Sequence, residues 1–353
     1  MANRLTKDLS RRDFLKFSAL AASGILIDFR SSSETSILKH FEQSESELLG
    51  RIFKNGTASY SEPSATSKII TLHNFNDVLD LKDLVISNGN QPTHEVWYRL
   101  DDGSFLNAHD FQPVKYQLNA PREEKINPGG ILAEITVPFT DAWNSSANGE
   151  KPNQVFFYGS THWIYDKGVE RSTNNPYYLV KEDRWNDSYY VNATHMRIIP
   201  DEEFMPISEL IPLDGKHILI SLQQQVMTAY EKNEPVFMSE LASGQLTGSK
   251  NLTTPDGEYM VNYKRPSRHM AHSDRVGSNG DELYGVPWVS YFTDTGIAFH
   301  GTYWHNNFTR PRSHGCINLP IAAANWVYRW TQPVVPPREQ KFVSQYGTQI
   351  EVI

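Results

Sequence analysis

The 353-residue sequence has a single cysteine, Cys316, so no internal disulfide can form and packing has to stabilise the fold. It lacks the CxxC and HExxH spacings that are typical of zinc sites. Positive charge is scarce as well, because 33 Lys and Arg face 41 Asp and Glu, which gives a net charge of -8. With no basic tract outside its N-terminal segment, the chain lacks the charge pattern of a nucleic-acid-binding protein.

The sequence also lacks an uninterrupted apolar run of the ~20 residues that a membrane-spanning helix needs. Its N-terminal apolar run, residues 17–29, is broken by serine, glycine and aspartate. Directly before it, residues 10–16 (Ser-Arg-Arg-Asp-Phe-Leu-Lys) match the twin-arginine export motif. We therefore expect residues 1–33 to be a signal or anchor that sends the protein to the cell wall or the outer face of a bacterial membrane. Small residues at 19–23 allow cleavage, but no clear A-x-A site is present, so a cleaved form and a tethered form both fit.

The domain organisation predicted from composition and pattern is mainly β. Hydrophobic residues make up 39% of the chain, enough for packed cores, and the length suggests two or three domains. We predict two small β-barrels followed by a β-rich catalytic domain with one bracing helix. The expected boundaries are a linker at 34–47, barrels at 48–116 and 117–205, the catalytic domain at 206–335 and a C-terminal tail at 336–353.

Short strands with turn signals between them support the two barrels. Residues 60–67 together with the Trp97–Leu100 strand and its Asp-Gly turn resemble a bacterial SH3-like domain. Residues 129–200 repeat this pattern with many aromatic residues, which predicts a second SH3-like domain. Such domains bind wall peptides or serve as spacers, and aromatic residues at strand spacing are most often core.

The strongest chemical signal surrounds the cysteine, because Cys316 follows His314 and Gly315, and a second pair, His300 and Gly301, lies sixteen residues before Cys316. A free thiol, with a pKa of about 8.5, needs a nearby base or cation to act as a nucleophile near neutral pH. The two histidines are the candidate bases. Two alternatives remain: a buried structural cysteine, and a zinc shell that would add His305 to these residues.

These residues resemble the signature of the L,D-transpeptidase (YkuD) catalytic domain, which crosslinks bacterial peptidoglycan through an acyl-cysteine. Residues 223–230 and the Thr-Pro-Asp-Gly-Glu-Tyr turn at 254–259 resemble two further landmarks of that family, in the same order. The resemblance covers about residues 206–331. It implies that the partners are peptidoglycan stem peptides, with no metal, cofactor or nucleic acid. Many members carry arginine at the position of Asn318.

The resemblance also implies roles for individual residues. Cys316 would be the nucleophile and His300 its proton acceptor and donor, with His314 in support. The carbonyl of Gly301 would orient His300, and backbone N–H groups around Gly315 and Cys316 would face the developing oxyanion. The expected substrate contacts are Arg312, Ser313, Asn318, Tyr303 and Trp304.

Two further elements are predicted in the catalytic domain. An apolar helix over Ile321–Trp330, after Pro320, would brace the nucleophile segment. The polar stretch 264–285 is long for a connection and is a candidate flap over the cleft. Crosslinking is the expected activity. An L,D-carboxypeptidase and a wall-binding protein with an inactive catalytic domain are the alternatives, and no catalytic group is expected from the two barrels.

Overall fold

A computed structural model describes residues 48–87, 95–144, 152–170, 174–247, 250–271 and 282–353. The predicted signal and linker lie outside this range. Within it, no helix combines the length and the apolar character that crossing a bilayer requires. The prediction of a mainly β chain with one α-helix is confirmed for these residues.

The first unit is a seven-stranded antiparallel sheet, with strand order β3-β2-β6-β5-β4-β1-β7. Its core contains the side chains of Ile52, Leu100, Leu106 and Phe111, and a 3-10 turn at Ala108–Asp110 precedes the last strand. The strands are β1 (Leu48–Ile52), β2 (Thr57–Tyr60), β3 (Ile69–His73), β4 (Val78–Ser87), β5 (Glu95–Leu100), β6 (Phe105–Asn107) and β7 (Phe111–Val114).

The second unit repeats this topology, with strand order β10-β9-β13-β12-β11-β8-β14, which is the same order counted from its own first strand. In both units an asparagine, Asn107 or Asn192, caps the 3-10 turn before the last strand by accepting a hydrogen bond from the amide two residues on. The SH3-like assignment stays a prediction. The strands are β8 (Ile131–Ile135), β9 (Phe139–Trp143), β10 (Gln154–Phe157), β11 (Thr161–Val169), β12 (Pro176–Lys181), β13 (Ser188–Asn192) and β14 (Met196–Ile198).

The third unit holds two five-stranded sheets and the helix. One sheet has the order β17-β16-β15-β26-β20, the other has the order β24-β23-β22-β21-β25, and β18 pairs with β19 alone. The elements are β15 (Lys216–Ser221), β16 (Val226–Glu231), β17 (Glu234–Glu240), β18 (Leu246–Thr247), β19 (Lys250–Asn251), β20 (Gly257–Met260), β21 (Tyr263–Ala271), β22 (Glu282–Tyr291), β23 (Ala298–Gly301), β24 (Ile317–Leu319), α1 (Ile321–Trp330), β25 (Phe342–Val343) and β26 (Gln349–Val352).

The helix α1 has the predicted bounds and lies against β22 and β23. Its C-terminal end leaves carbonyl groups without intrahelical partners. Two buried lysines satisfy them: Lys264 Nζ donates to the carbonyls of Tyr328 and Thr331 at 2.8 and 2.6 Å, and Lys216 Nζ donates to that of Trp330 at 2.9 Å. The helix is therefore fixed to both sheets behind the nucleophile segment.

Two segments have a structure different from the one predicted for them. The expected tail at 336–353 contributes β26, which lies between β15 and β20 because the alternation of Ile350 and Val352 gives it one buried face. The expected flap at 264–285 is partly strand: residues 264–271 and 282–285 belong to β21 and β22, which pair with each other. Only residues 272–281 between them lie outside the described range.

Candidate active site

The site lies where β23 and β24 run parallel, with Phe299 opposite Ile317 and His300 opposite Asn318. Side chains alternate along a strand, so Phe299 and Ile317, both fully buried, face the core and His300 faces the other side. Cys316 directly precedes β24 and packs against a cluster that contains Ala298, two residues before His300 in β23. The pairing of β23 with β24 thus brings the two sequence motifs to neighbouring strands.

His300 is 2% exposed, and its Nδ1 lies 3.1 Å from the carbonyl oxygen of Gly301. Because a carbonyl can only accept, this contact places the ring proton on Nδ1 and leaves Nε2 as the basic nitrogen. Burial lowers the pKa of His300 to about 4, so the ring is neutral at neutral pH. The carbonyl contact implied by the family resemblance is present.

Cys316 is half-buried, and its Sγ lies 3.8 Å from the carbonyl oxygen of Gly296. Burial raises the pKa of the thiol, and a hydrogen bond with the backbone of Ala298 opposes that rise. The resting site therefore holds a neutral thiol and a neutral imidazole. Tyr291 packs against the same apolar cluster as Cys316, and its pKa is raised to about 12 by burial and by Cys316.

The loop before the cysteine is folded on itself. Ser313 is buried, and its hydroxyl donates to the carbonyl of Cys316 and accepts from the N–H of Gly315 at 3.0 Å. Ser313 thus shapes the loop, and its expected contact with substrate stays a prediction. The Gly315 amide, expected to face the oxyanion, is already engaged, which leaves the amide of Cys316 as the candidate donor. Gly315 has φ +123°, a conformation that favours glycine.

Two residues that the sequence analysis did not place in the site support this loop. The buried hydroxyl of Thr254 donates to the carbonyl of Gly315 at 2.8 Å and accepts from the N–H of Gly244 at 2.9 Å. A Cβ on Gly244 would lie 2.8 Å from the Cα of Gly315 and 2.1 Å from the carbonyl oxygen of Leu252, so only glycine fits there. The Thr-Pro-x-Gly landmark was the available signal for Thr254.

Asn318 is buried and contacts another side chain in this structure. Its amide nitrogen lies 2.8 Å from Nε2 of His305, and its backbone pairs with Ala242 in both directions at 3.0 Å. His305, expected at the surface or lining a pocket, is 5% exposed, and burial lowers its pKa to about 3. Across the described part of the chain, no three His, Cys, Asp or Glu side chains are grouped to hold a metal ion.

The remaining predicted residues divide by exposure. Tyr303 is buried, and its hydroxyl donates to the carbonyl of Tyr284 at 2.7 Å, while its expected contact with substrate stays a prediction. Trp304 is half-buried with its ring centroid 5.6 Å from that of His300, beside the cleft. Arg312 and His314 are exposed at the rim.

Residues 215–352 match the family model of YkuD, described as the L,D-transpeptidase catalytic domain, which is well under half of the chain. A search of curated proteins found no match.

Among solved structures, an L,D-transpeptidase fragment from Xylanimonas cellulosilytica is 25% identical over 39% of this chain and 60% of its own, with a TM-score of 0.29. A mutant of the Enterococcus faecium L,D-transpeptidase is 21% identical over 39% of this chain and 50% of its own, with a TM-score of 0.29. L,D-transpeptidase 3 from Mycobacterium tuberculosis is 16% identical over 50% of this chain and 78% of its own, with a TM-score of 0.31. The chain therefore spans three fifths of the first of these proteins and half of the second.

Proposed function

We propose that this protein is an L,D-transpeptidase that crosslinks peptidoglycan stem peptides through a thioester on Cys316. The observation that carries the proposal is the contact of His300 Nδ1 with the carbonyl of Gly301 at 3.1 Å, in a strand that pairs with β24, the strand directly after Cys316. A base with a fixed tautomer beside a lone thiol is the arrangement that nucleophilic catalysis needs. The match of residues 215–352 to the YkuD family model supports the same chemistry.

In the first step, Nε2 of His300 takes the proton of the thiol, and the thiolate attacks the carbonyl carbon that joins the third stem residue to D-alanine. The C–N bond breaks, the leaving nitrogen takes the proton from His300, and D-alanine departs. Because burial lowers the pKa of His300 to about 4, the protonated ring is a strong acid and returns its proton readily. This exchange needs no carboxylate, since the Gly301 carbonyl holds the ring.

Negative charge develops on the carbonyl oxygen during attack, and the amide of Cys316 is the donor that we assign to it. A well-aimed backbone donor contributes about 3 kcal/mol to such a step. In the second step, an amine from a neighbouring stem attacks the thioester and the C–S bond breaks, while His300 takes a proton from the amine and gives it to the leaving thiolate. Attack by water at the same point would make the enzyme an L,D-carboxypeptidase.

Muropeptide analysis tests the proposal. The full chain is incubated with disaccharide-tetrapeptide, and products are separated and weighed by mass spectrometry, with Cys316→Ala as the inactive control. We expect free D-alanine and a dimer linked between third-position residues. Tripeptide without dimer would make the protein a carboxypeptidase, and the absence of both products from folded protein would identify a binding module.

The location follows from the N-terminal motif, and we propose export through the twin-arginine pathway with two SH3-like domains at 48–116 and 117–205. The test replaces Arg11 and Arg12 with lysine and compares the extracytoplasmic fraction with that of the unmodified protein. Equal export of both forms would exclude this pathway.

A further inference from the structure

The connection between the catalytic histidine and the nucleophile loop, residues 302–312, is held by the first domain and not only by the catalytic sheets. Arg51 in β1 donates from Nη2 to the carbonyl of Tyr303 at 2.7 Å. Nδ1–H of His109 donates to the carbonyl of Asn306 at 2.9 Å, and the Asn306 side chain donates to the carbonyl of Ala108 at 2.8 Å. Three hydrogen bonds thus join the first domain to this connection.

Arg51 is rigidly placed. It is 2% exposed, and its guanidinium also donates to the Gln112 side chain, at 2.8 and 3.1 Å, and to that of Asn76 at 2.9 Å. Its Cζ lies 4.3 Å from the ring centroid of Phe157 in the second domain, and that ring stacks on Tyr303 at 5.7 Å. Burial lowers the pKa of Arg51 to about 10, so it stays charged at neutral pH.

The same connection supports the active site from its other side. His305, next to Asn306, lies 2.8 Å from the amide of Asn318, and Asn318 is directly opposite His300 in the strand pair. Trp304, next to Tyr303, has its ring 5.6 Å from that of His300. The residues that contact the first domain are therefore chain neighbours of Trp304, whose ring lies near the imidazole of His300, and of His305, which contacts Asn318.

We propose that Arg51, together with the 3-10 turn at Ala108–Asp110, positions His300 across the domain interface, so that the first domain completes the catalytic site. On sequence grounds alone, no catalytic group is expected from the N-terminal domains. The inference rests on the proposed function, because it concerns the efficiency of the same proton transfer. Arg51 touches neither substrate nor reacting atoms and is a positioning residue.

The test uses the full chain and the rate constant for acylation of Cys316 by a carbapenem, followed as a mass increase at pH 7 and at pH 9.5. The variants are Arg51→Met, Arg51→Lys and His109→Ala. The matched control is Arg99→Met, since Arg99 lies in the same sheet with its side chain 51% exposed. Melting by circular dichroism establishes that each variant is folded at the assay temperature.

We expect Arg51→Met to be acylated roughly 10- to 100-fold more slowly at pH 7, because a small displacement of a catalytic group has a large effect on rate. The deficit should shrink at pH 9.5, where the thiol ionises with less help from His300. Arg51→Lys should recover part of the rate, His109→Ala should show a smaller deficit of the same kind, and Arg99→Met should equal the unmodified protein. If Arg51→Met does not fold, His109→Ala decides, because it removes one hydrogen bond from a half-exposed side chain.

Unchanged rates in folded Arg51→Met and His109→Ala, or deficits that are equal at both pH values, would overturn the inference. In that case the unmodified protein would still form the thioester and the proposed function would stand. If the unmodified, folded protein formed no thioester at all, the proposed function would fail, and this inference with it.

Discussion

His300 and Gly301 are neighbours in sequence, and the 3.1 Å contact from Nδ1 of the first to the carbonyl oxygen of the second replaces the carboxylate that orients histidine in many nucleophilic enzymes. A carbonyl carries no formal charge, so it fixes the ring without stabilising its protonated form as strongly as a carboxylate would. The contact with Gly301 raises the pKa of His300, but burial lowers it further, to about 4, and so keeps the resting imidazole neutral.

Cys316→Ser should abolish turnover and leave the fold intact. Serine is nearly isosteric with cysteine, but its hydroxyl is far less acidic than a thiol, so His300 cannot generate the nucleophile. The measurement is D-alanine release from tetrapeptide, with circular dichroism to compare the fold. Release at the original rate by the folded variant would remove Cys316 from the nucleophile role.

His300→Ala should slow acylation roughly 10²- to 10⁴-fold at neutral pH, as expected for the loss of a general base. In the unmodified protein the base is active above the pKa of His300, about 4, so the acid limb of the rate profile should lie near pH 4 rather than near 6.5. For His300→Ala the rate should rise with pH as the thiol ionises unaided.

His314→Ala is the matched control for this experiment, because His314 is exposed and only two residues from the cysteine. The acylation rate of His314→Ala should fall less than that of His300→Ala and should increase little when the pH is raised. Rescue by high pH in His314→Ala, and not in His300→Ala, would exchange the two roles.

Thr254→Val should distort the nucleophile loop. The hydroxyl of Thr254 serves both the Gly315 carbonyl and the Gly244 amide, and each buried group left without a partner costs about 1–3 kcal/mol. We expect a lower melting temperature and slower acylation. The control is Thr253→Val, since the hydroxyl of Thr253 is exposed and bonds only to Asn251. Equal behaviour of the two variants would show that this hydroxyl does not support the loop.

Lys264→Met should destabilise the catalytic domain by about 3 kcal/mol, because three carbonyls at the end of α1 and beyond lose their donor. Lys341→Met, at an exposed position, is the control and should change stability by less than about 0.5 kcal/mol. Denaturant unfolding measures both. If Lys264→Met changed the free energy of unfolding as little as the control does, water would be donating to these carbonyls in place of the lysine.

The sequence by itself determined the elements whose signals are local. The apolar pattern from Ile321 to Trp330 between two prolines predicted α1 at its observed bounds, and strand alternation predicted a mainly β fold. The spacing of His300 and Cys316 around glycines identified the candidate nucleophile and base, because this chemistry requires those residue types.

Tertiary structure decided what depends on contacts between residues far apart in sequence. No local pattern distinguishes a surface histidine from His305, which is buried against Asn318, or a terminal tail from β26, which needs β15 and β20 to bury its apolar face. The pairing of Arg51 with Tyr303 spans 252 residues and joins a buried cation to a neutral carbonyl. Nothing in the local sequence around Arg51 or Tyr303 indicates that the two groups pair. Only the fold could therefore bring the first domain to the candidate active site.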